Sequence, residues 1–117
     1  MPSHYEILSD ADMKHIDNNK HALQVIADGS PTMRNDVLQN HSGQDLTRAL
    51  TALARLAHHH ERLPPDFTRK HHAKLKKALS QRTHMKTREA LVRSQRGGAF
   101  WRGIVKAAQP AGGVDYE

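Results

Sequence analysis

The sequence predicts an all-α fold, a small single-domain bundle of about five helices. Apolar residues recur at three- and four-residue spacing in almost every segment, which is the period of one face of an α-helix. Residues that start and stop helices separate these segments. No alternating run of Val, Ile or Thr reaches strand length, and the sequence has no internal repeat. With 117 residues, the chain has the length of one domain; we place it at residues 1–109, followed by a short flexible tail at residues 110–117.

Two helices are predicted before residue 44. The first spans residues 10–28, with Ser9 as its N-cap and Gly29 as its C-terminal stop. Its apolar face consists of Met13, Ile16, Leu23, Ile26 and Ala27. The second has Ser30 as its N-cap and Pro31 at the first helical position, where proline is favoured. Its inner side is predicted to consist of Met33, Val37 and Leu38.

The longest apolar pattern predicts the central core helix over residues 44–63. One continuous stripe is formed by Leu46, Ala49, Leu50, Leu53, Leu56 and Ala57. Arg48, Thr51 and Arg55 are predicted to point away from the core. We expect the helix to continue to Leu63, because Pro64 and Pro65 follow and proline breaks a helix.

The second half of the chain predicts helices over residues 66–80, 84–96 and 99–109. In the first of these, one face carries Phe67, His71, Leu75, Ala78 and Leu79; in the second, Met85, Leu91 and Val92 are apolar. Gly97 and Gly98 interrupt the pattern before the last helix. Phe100 and Trp101 then begin an apolar turn, which is typical of a core segment; stacking of these two rings on unpaired bases is the alternative.

The distribution of charge along the chain is uneven. The net charge is +6 in all. Residues 1–61 are mildly acidic, with a net charge of −3, whereas residues 62–106 contain thirteen Lys and Arg against only Asp66 and Glu89, a net charge of +11. So strong an asymmetry favours a polyanionic partner for the second half. A solvated basic face that only maintains solubility is the simpler alternative.

The predicted contact surface for such a partner lies within residues 69–96, with one further arginine beyond it. On a helix, Lys70, Lys74 and Lys77 are spaced to line one edge, which can follow a phosphate backbone. The full set of candidate nucleic-acid-binding residues is Arg69, Lys70, Lys74, Lys77, Arg82, Lys86, Arg88, Arg93, Arg96 and Arg102. The helices over 66–80 and 84–96 could form a helix-turn-helix, in which the second helix enters the major groove.

Five histidines lie between residues 58 and 72, and their spacing argues against a metal site. Two histidines on one helix share a metal ion when they are four residues apart, and no pair in the chain has this spacing. Adjacent histidines diverge by about 100° around a helix, so His58, His59 and His60 cannot converge on one ion. The sequence therefore predicts neither metal nor cofactor; a site that combines His60 with His72 in the folded protein is the alternative. Protonation of the cluster near pH 6.5 would strengthen any neighbouring anion-binding face.

The sequence contains no motif that predicts catalysis. A nucleophile elbow, a phosphate-binding Gly-rich loop and an EF-hand are all missing, so we expect a protein that is not an enzyme. The chain has no cysteine, which excludes disulfides, thiolate zinc sites and cysteine nucleophiles. No apolar run reaches the ~20 residues that span a bilayer, and the first residues do not resemble a signal peptide. We expect a cytoplasmic protein without a membrane partner.

The last seventeen residues, WRGIVKAAQPAGGVDYE, resemble the end of the RNA-binding domain of FinO/ProQ-type chaperones. The remainder of that domain has no counterpart in the chain, so the resemblance is confined to this segment.

Two functions from different classes follow from the sequence. The first is a non-catalytic nucleic-acid-binding protein, with DNA slightly preferred over RNA because helices fit the major groove. The second is a small inhibitor, adaptor or assembly subunit, of the kind found in phages and mobile elements, that docks its basic face on an acidic protein. Self-association as a homo-oligomer is open in both interpretations.

Overall fold

The computed structural model describes residues 8–40, 43–80, 84–94 and 98–108. These residues contain eight α-helices and no β-strand. The helices are α1 (Asp10–Asn18), α2 (Lys20–Asp28), α3 (Pro31–Asn40), α4 (Gln44–His59), α5 (Pro65–Lys70), α6 (His72–Leu79), α7 (Met85–Ser94) and α8 (Ala99–Ala108). The all-α prediction is confirmed, but about five helices was too few.

Two helices that the sequence predicts as continuous are each divided. The first divides at Asn19, whose backbone leaves the helical range (φ −109°, ψ 16°) and whose side-chain amide donates to the His15 carbonyl at 2.7 Å. Asparagine competes for backbone hydrogen bonds in this way and therefore weakens a helix. The second divides at His71 (φ −111°, ψ 27°), between α5 and α6. The tail at residues 110–117 lies outside the described residues.

The predicted helix signals of the first half are largely confirmed. Ser9 caps α1 through a capping box with Asp12, whose carboxylate accepts from the Ser9 amide at 3.1 Å. Helix α2 ends before Gly29, and α3 begins at Pro31. Leu38 is fully buried as predicted, but Met33 is 52% exposed, so its placement on the inner side was wrong. Only the C-terminal half of α3 reaches the core.

Helix α4 is the centre of the molecule and packs against α1, α6, α7 and α8. The six residues of its predicted stripe are all buried. Thr51 was predicted to point outward but is only 1% exposed, because neighbouring helices surround α4 on more than one side. Its hydroxyl donates to the Thr47 carbonyl at 3.0 Å, which satisfies the polar atom inside the core.

Helix α4 ends at His59, four residues earlier than predicted. The Glu61 amide donates to the His58 carbonyl at 3.1 Å, and the Arg62 amide donates to the Ala57 carbonyl at 2.9 Å. These two bonds form a Schellman motif, in which one residue turns into the left-handed conformation. Glu61 is that residue, with φ of 55°. The chain therefore turns before it reaches Pro64.

Helix α8 packs against α4 and α2 and completes the core. Phe100 and Trp101 are 1% and 0% exposed, which confirms that they are core residues and excludes them as stacking platforms for bases. Gly103 allows the Phe67 ring of α5 to lie directly on the α8 backbone. Phe67 also stacks on Phe100, with ring centroids 5.7 Å apart. These contacts attach α5, near the start of the basic half of the chain, to the core.

Candidate nucleic-acid interface

The predicted contact residues are distributed over four helices. Arg69 and Lys70 end α5, and Lys74 and Lys77 lie on α6. Helix α7 carries Lys86, Arg88 and Arg93, while α8 carries Arg102. Arg82 and Arg96 lie outside the described residues, as does part of the turn of the predicted helix-turn-helix at residues 81–83.

The break at His71 divides the predicted line of lysines between two helices. Lys70 closes α5 and Lys74 lies in the first turn of α6, so the three lysines do not belong to one regular helix. Burial lowers the pKa of His71, and the positive charges of Lys74 and Lys70 lower it further. Lys70 and Lys74 thus lie on either side of the break, and the charges of both act on the imidazole of His71.

The cations of α5, α6 and α7 are mostly exposed and have few acidic neighbours. We call six of them the basic surface: Arg69, Lys70, Lys74, Lys76, Lys77 and Lys86. Lys74 is half-buried, and the other five are exposed. Lys76, which the prediction left out, is exposed on α6 beside Lys77. Helices α6 and α7 pack against each other, so Lys86 lies on the helix adjacent to α6.

Ion pairing compensates little of this positive charge. Within the described part of the chain, Arg69 pairs with Asp66 at 2.8 Å, and the five lysines of the basic surface form no ion pair. The Arg69–Asp66 pair is itself highly exposed, with side chains 77% and 93% accessible. An exposed pair of this kind contributes little to stability and can exchange partners. The surface is therefore available to a polyanion.

Two of the predicted arginines are engaged by the fold. Arg88 is half-buried on α7, and its guanidinium donates to the Ser80 carbonyl at the end of α6. Burial lowers the pKa of Arg88, and the nearby charge of Arg55 lowers it further. Arg102 donates from Nε to the Ala27 carbonyl at 3.3 Å, at the end of α2. Arg88 thus links α6 to α7, and Arg102 links α8 to α2.

Acidic side chains of the first half also form contacts between helices. Asp12 pairs with Arg55 at 2.8 Å, and both side chains are only about one fifth exposed, at 22% and 20%. Asp45 accepts a hydrogen bond from the His15 ring, and this bond is the main reason why the pKa of Asp45 lies below its usual value. The ammonium nitrogen of Lys106 lies 3.8 Å from a carboxylate oxygen of Asp28. The first two contacts join α1 to α4, and the third joins α2 to α8.

An open depression of about 750 Å³ lies where the end of α4 approaches α5 and α6. We call it the histidine groove. Its polar lining consists of His58, Glu61, Thr68, Arg69 and His72, and its apolar lining of Leu63 and Pro65. The turn at residues 60–64 reverses the chain and so brings His58 and His72 to the same depression, although they are fourteen positions apart. Sequence spacing along one helix gave no signal of this juxtaposition.

The groove is lined by two histidines and a glutamate, but these side chains are not arranged around a metal position. In the residues that the structure describes, no group of three or more His, Cys, Asp or Glu side chains is arranged to hold a metal ion. His71, next to His72, faces the core instead, with its ring 4.7 Å from that of Phe67 and 5.2 Å from that of Phe100. The five clustered histidines therefore have different environments.

Comparison of the chain with family models, with curated proteins and with solved structures gives no match. Among the described helices, none is both long enough and apolar enough to cross a membrane.

Proposed function

We propose that this protein binds nucleic acid through the basic surface on α5, α6 and α7, and that it does so without catalysis. The observation that carries the proposal is the set of five lysines on this surface that form no ion pair with any described residue. Lysines so placed repel each other, and binding to a polyanion relieves that repulsion. Neutralised phosphates release counterions, which supplies binding free energy without sequence recognition.

The arrangement of charge supports phosphate contacts more directly than base contacts. Lys70, Lys74 and Lys77 follow the chain across the break between α5 and α6, and Lys86 adds a cation from the neighbouring α7. Contacts of lysine with phosphates position a protein on a strand but do not distinguish sequences. We therefore propose binding of low sequence specificity, with duplex DNA as the first ligand to test.

The competing function is docking of the basic surface on an acidic protein. It uses the same lysines, but it predicts no affinity for nucleic acid above background near physiological salt. The described residues offer little exposed apolar area for such a partner, since Met33 on α3 is the one large hydrophobic side chain among them that is highly exposed. Protein interfaces commonly have an apolar, aromatic-rich centre, so nucleic acid is the ligand that we favour.

A matched pair of triple variants tests the proposal. Replacing Lys70, Lys74 and Lys77 with Ala should weaken binding to duplex DNA, single-stranded DNA and RNA alike. It should also flatten the dependence of log Kd on log salt, by roughly 0.9 for each duplex phosphate that the variant no longer neutralises. Fluorescence anisotropy with labelled oligonucleotides at several NaCl concentrations measures both quantities. Circular dichroism establishes that the helices persist.

The control removes the same number of charges elsewhere. Lys14, Lys20 and Arg48 are exposed cations on α1, α2 and α4, and replacing all three with Ala lowers the net charge equally. The control triple should retain most of the affinity and of the salt dependence. Equal losses in the two triples would show that net charge alone attracts the ligand. Failure of the wild-type protein to bind any of the three ligands at micromolar concentration would favour the acidic protein partner.

A further inference from the structure

The histidine groove combines apolar residues, a cation and imidazole rings, whereas the basic surface consists of cations alone. Leu63 and Pro65 present apolar surface, and the imidazoles of His58 and His72 are exposed. Arg69 belongs to both the groove and the basic surface, and Lys70 follows it on α5. The basic surface therefore adjoins the groove at Arg69.

We propose that the histidine groove receives one unpaired nucleotide of the bound strand, an inference that rests on the proposed nucleic-acid binding. The base lies against Leu63 and Pro65 with the imidazoles of His58 and His72 beside it. Arg69 contacts the adjoining phosphate. Histidine rings are among the side chains on which unpaired bases stack, and arginine forms charge-assisted hydrogen bonds with phosphate. The depression is large enough for one nucleotide and open enough for its strand to continue.

Burial of the larger aromatic rings supports this assignment. Phe100 and Trp101 are almost fully buried and cannot reach a ligand, and Phe67 packs between α8 and His71. By contrast, His58 and His72 are exposed and line a single depression. If this protein stacks a base with the residues described, the imidazoles are the rings in position to do so.

Glu61 gives the groove a means of selecting bases. Its backbone is left-handed, a conformation that glycine adopts more easily and usually supplies at this point of a Schellman motif. Here the residue is a glutamate instead, and it lines the groove. A carboxylate accepts hydrogen bonds from an exocyclic amino group, as Glu does from N4 of cytosine. We therefore expect the groove to prefer a base that carries an amino group over thymine or uracil.

Nuclear magnetic resonance of the full chain tests the groove without any bound strand. Cytidine 5′-monophosphate should shift the imidazole signals of His58 and His72, whereas the signal of His21 on α2 should not move. Thymidine 5′-monophosphate should give smaller shifts. Pyrophosphate is the control for the anion alone, and shifts that it reproduces in full would reduce the groove to an anion site and overturn the proposal. Unchanged His58 and His72 signals with cytidine monophosphate would overturn it as well.

Affinity measurements connect the groove to the bound strand. The double variant His58→Ala/His72→Ala should weaken binding to single-stranded cytosine-rich DNA by roughly tenfold, the scale of one base stack, and should leave duplex affinity within about twofold. The control His21→Ala/His59→Ala also removes two exposed imidazoles, one of them adjacent to His58, but neither lines the groove. Equal behaviour of the two double variants would contradict the proposal.

The variant Glu61→Gly separates base selection from folding. Glycine suits the left-handed conformation, so the melting temperature should rise while the preference for amino-bearing bases disappears. A preference that survives in Glu61→Gly would remove Glu61 from the site. The two proposals fail differently: failure of the wild-type protein to bind any strand would refute the proposed function and, with it, the groove as a site on a bound strand. Strand binding that is insensitive to every groove variant would refute only the groove.

Discussion

His71 shows how one residue acquires a role that its neighbours in the sequence do not share. Its ring contacts those of Phe67 and Phe100, and its Nδ1 atom is buried without a hydrogen-bond partner among the described residues. Burial, followed by the charges of Lys74 and Lys70, lowers the pKa of His71. The folded protein thus favours the neutral imidazole. Protonation would place a charge and an unsatisfied N–H group beside two aromatic rings.

The pH dependence of stability follows from this direction. A histidine whose folded pKa is lowered contributes its full stabilisation above the unfolded value, near 6.5, and the contribution decreases as pH falls below that value toward the folded pKa. We expect His71→Leu to lose less stability than the wild-type protein between pH 7 and pH 5. Urea unfolding at a series of pH values measures this difference. His59→Leu, on the exposed end of α4, is the control for removing a surface histidine.

A pH dependence in His71→Leu as steep as that of the wild-type protein would contradict this expectation. The loss of stability at acid pH would then originate outside the cluster of Phe67, His71 and Phe100. The sequence indicated that His71 shares a face with Phe67 and Leu75, which is consistent with its position. The lowered pKa could not be predicted in full, because its largest cause is burial, which arises only when the helices pack.

At the scale of elements, Gly103 determines how α5 attaches to α8. A Cβ atom at this position would overlap the Phe67 ring and would also lie 3.1 Å from Phe67 Cδ2. Glycine in the interior of a helix normally costs ~1 kcal/mol relative to Ala. Here the close approach of the ring offsets that cost. Gly103→Ala should therefore destabilise the protein by roughly 1–3 kcal/mol, the usual range for overpacking a core, in spite of the better helix propensity of Ala.

A double-mutant cycle checks the cause of this destabilisation. If the overlap with Phe67 is responsible, Gly103→Ala should cost much less in a Phe67→Leu background, because the ring is gone. Free energies of unfolding from denaturant titrations supply the four corners of the cycle. Additive effects of the two substitutions would show that the new methyl group is accommodated elsewhere, and that Gly103 is not required for the packing of α5.

The apolar pattern predicted a helix well where one of its faces packs on the core and the opposite face is exposed. It predicted less well where a helix ends or is buried on several sides. The period of Leu46 to Ala57 identified α4, but it placed Thr51 outside because a stripe pattern assumes that the opposite side is solvated. The end of α4 at His59 was missed because no glycine marks the left-handed position, which Glu61 occupies. Asn19 and His71 divide helices through local hydrogen bonding and tertiary packing, which the apolar period does not record.

At the scale of the whole molecule, the sequence predicted more about charge than about the site. Counting charges separated an acidic half from a basic half, and the lysines on α5, α6 and α7 are exposed or half-buried in the structure. Counting charges could not distinguish the lysines of the basic surface from Arg88 and Arg102, which donate hydrogen bonds to carbonyl groups at the ends of other helices. Nor could it find the histidine groove, because the groove depends on the chain reversal between α4 and α5 and on residues from both sides of it.

The segregation of charge should make the stability of the protein increase with salt. Like charges on α5, α6 and α7 repel each other in the folded state, and raising NaCl from about 0.05 M to about 0.5 M shortens the screening length from roughly 14 Å to roughly 4 Å. We expect a gain of about 1 kcal/mol in the free energy of unfolding, which corresponds to a rise of roughly 4 °C in melting temperature for a domain of this size. Thermal unfolding followed by circular dichroism at both salt concentrations measures it.

The two triple variants locate the source of this salt dependence. The Lys70, Lys74 and Lys77 to Ala triple should melt higher than the wild-type protein at low salt and gain less from NaCl, because it removes part of the repulsion. The Lys14, Lys20 and Arg48 triple should keep the full gain, since it leaves the basic surface intact. A wild-type melting temperature that falls with salt would mean that the ion pairs of Asp12 and Asp28 outweigh the repulsion. The repulsion within the basic surface would then be the smaller electrostatic contribution to the stability of the fold.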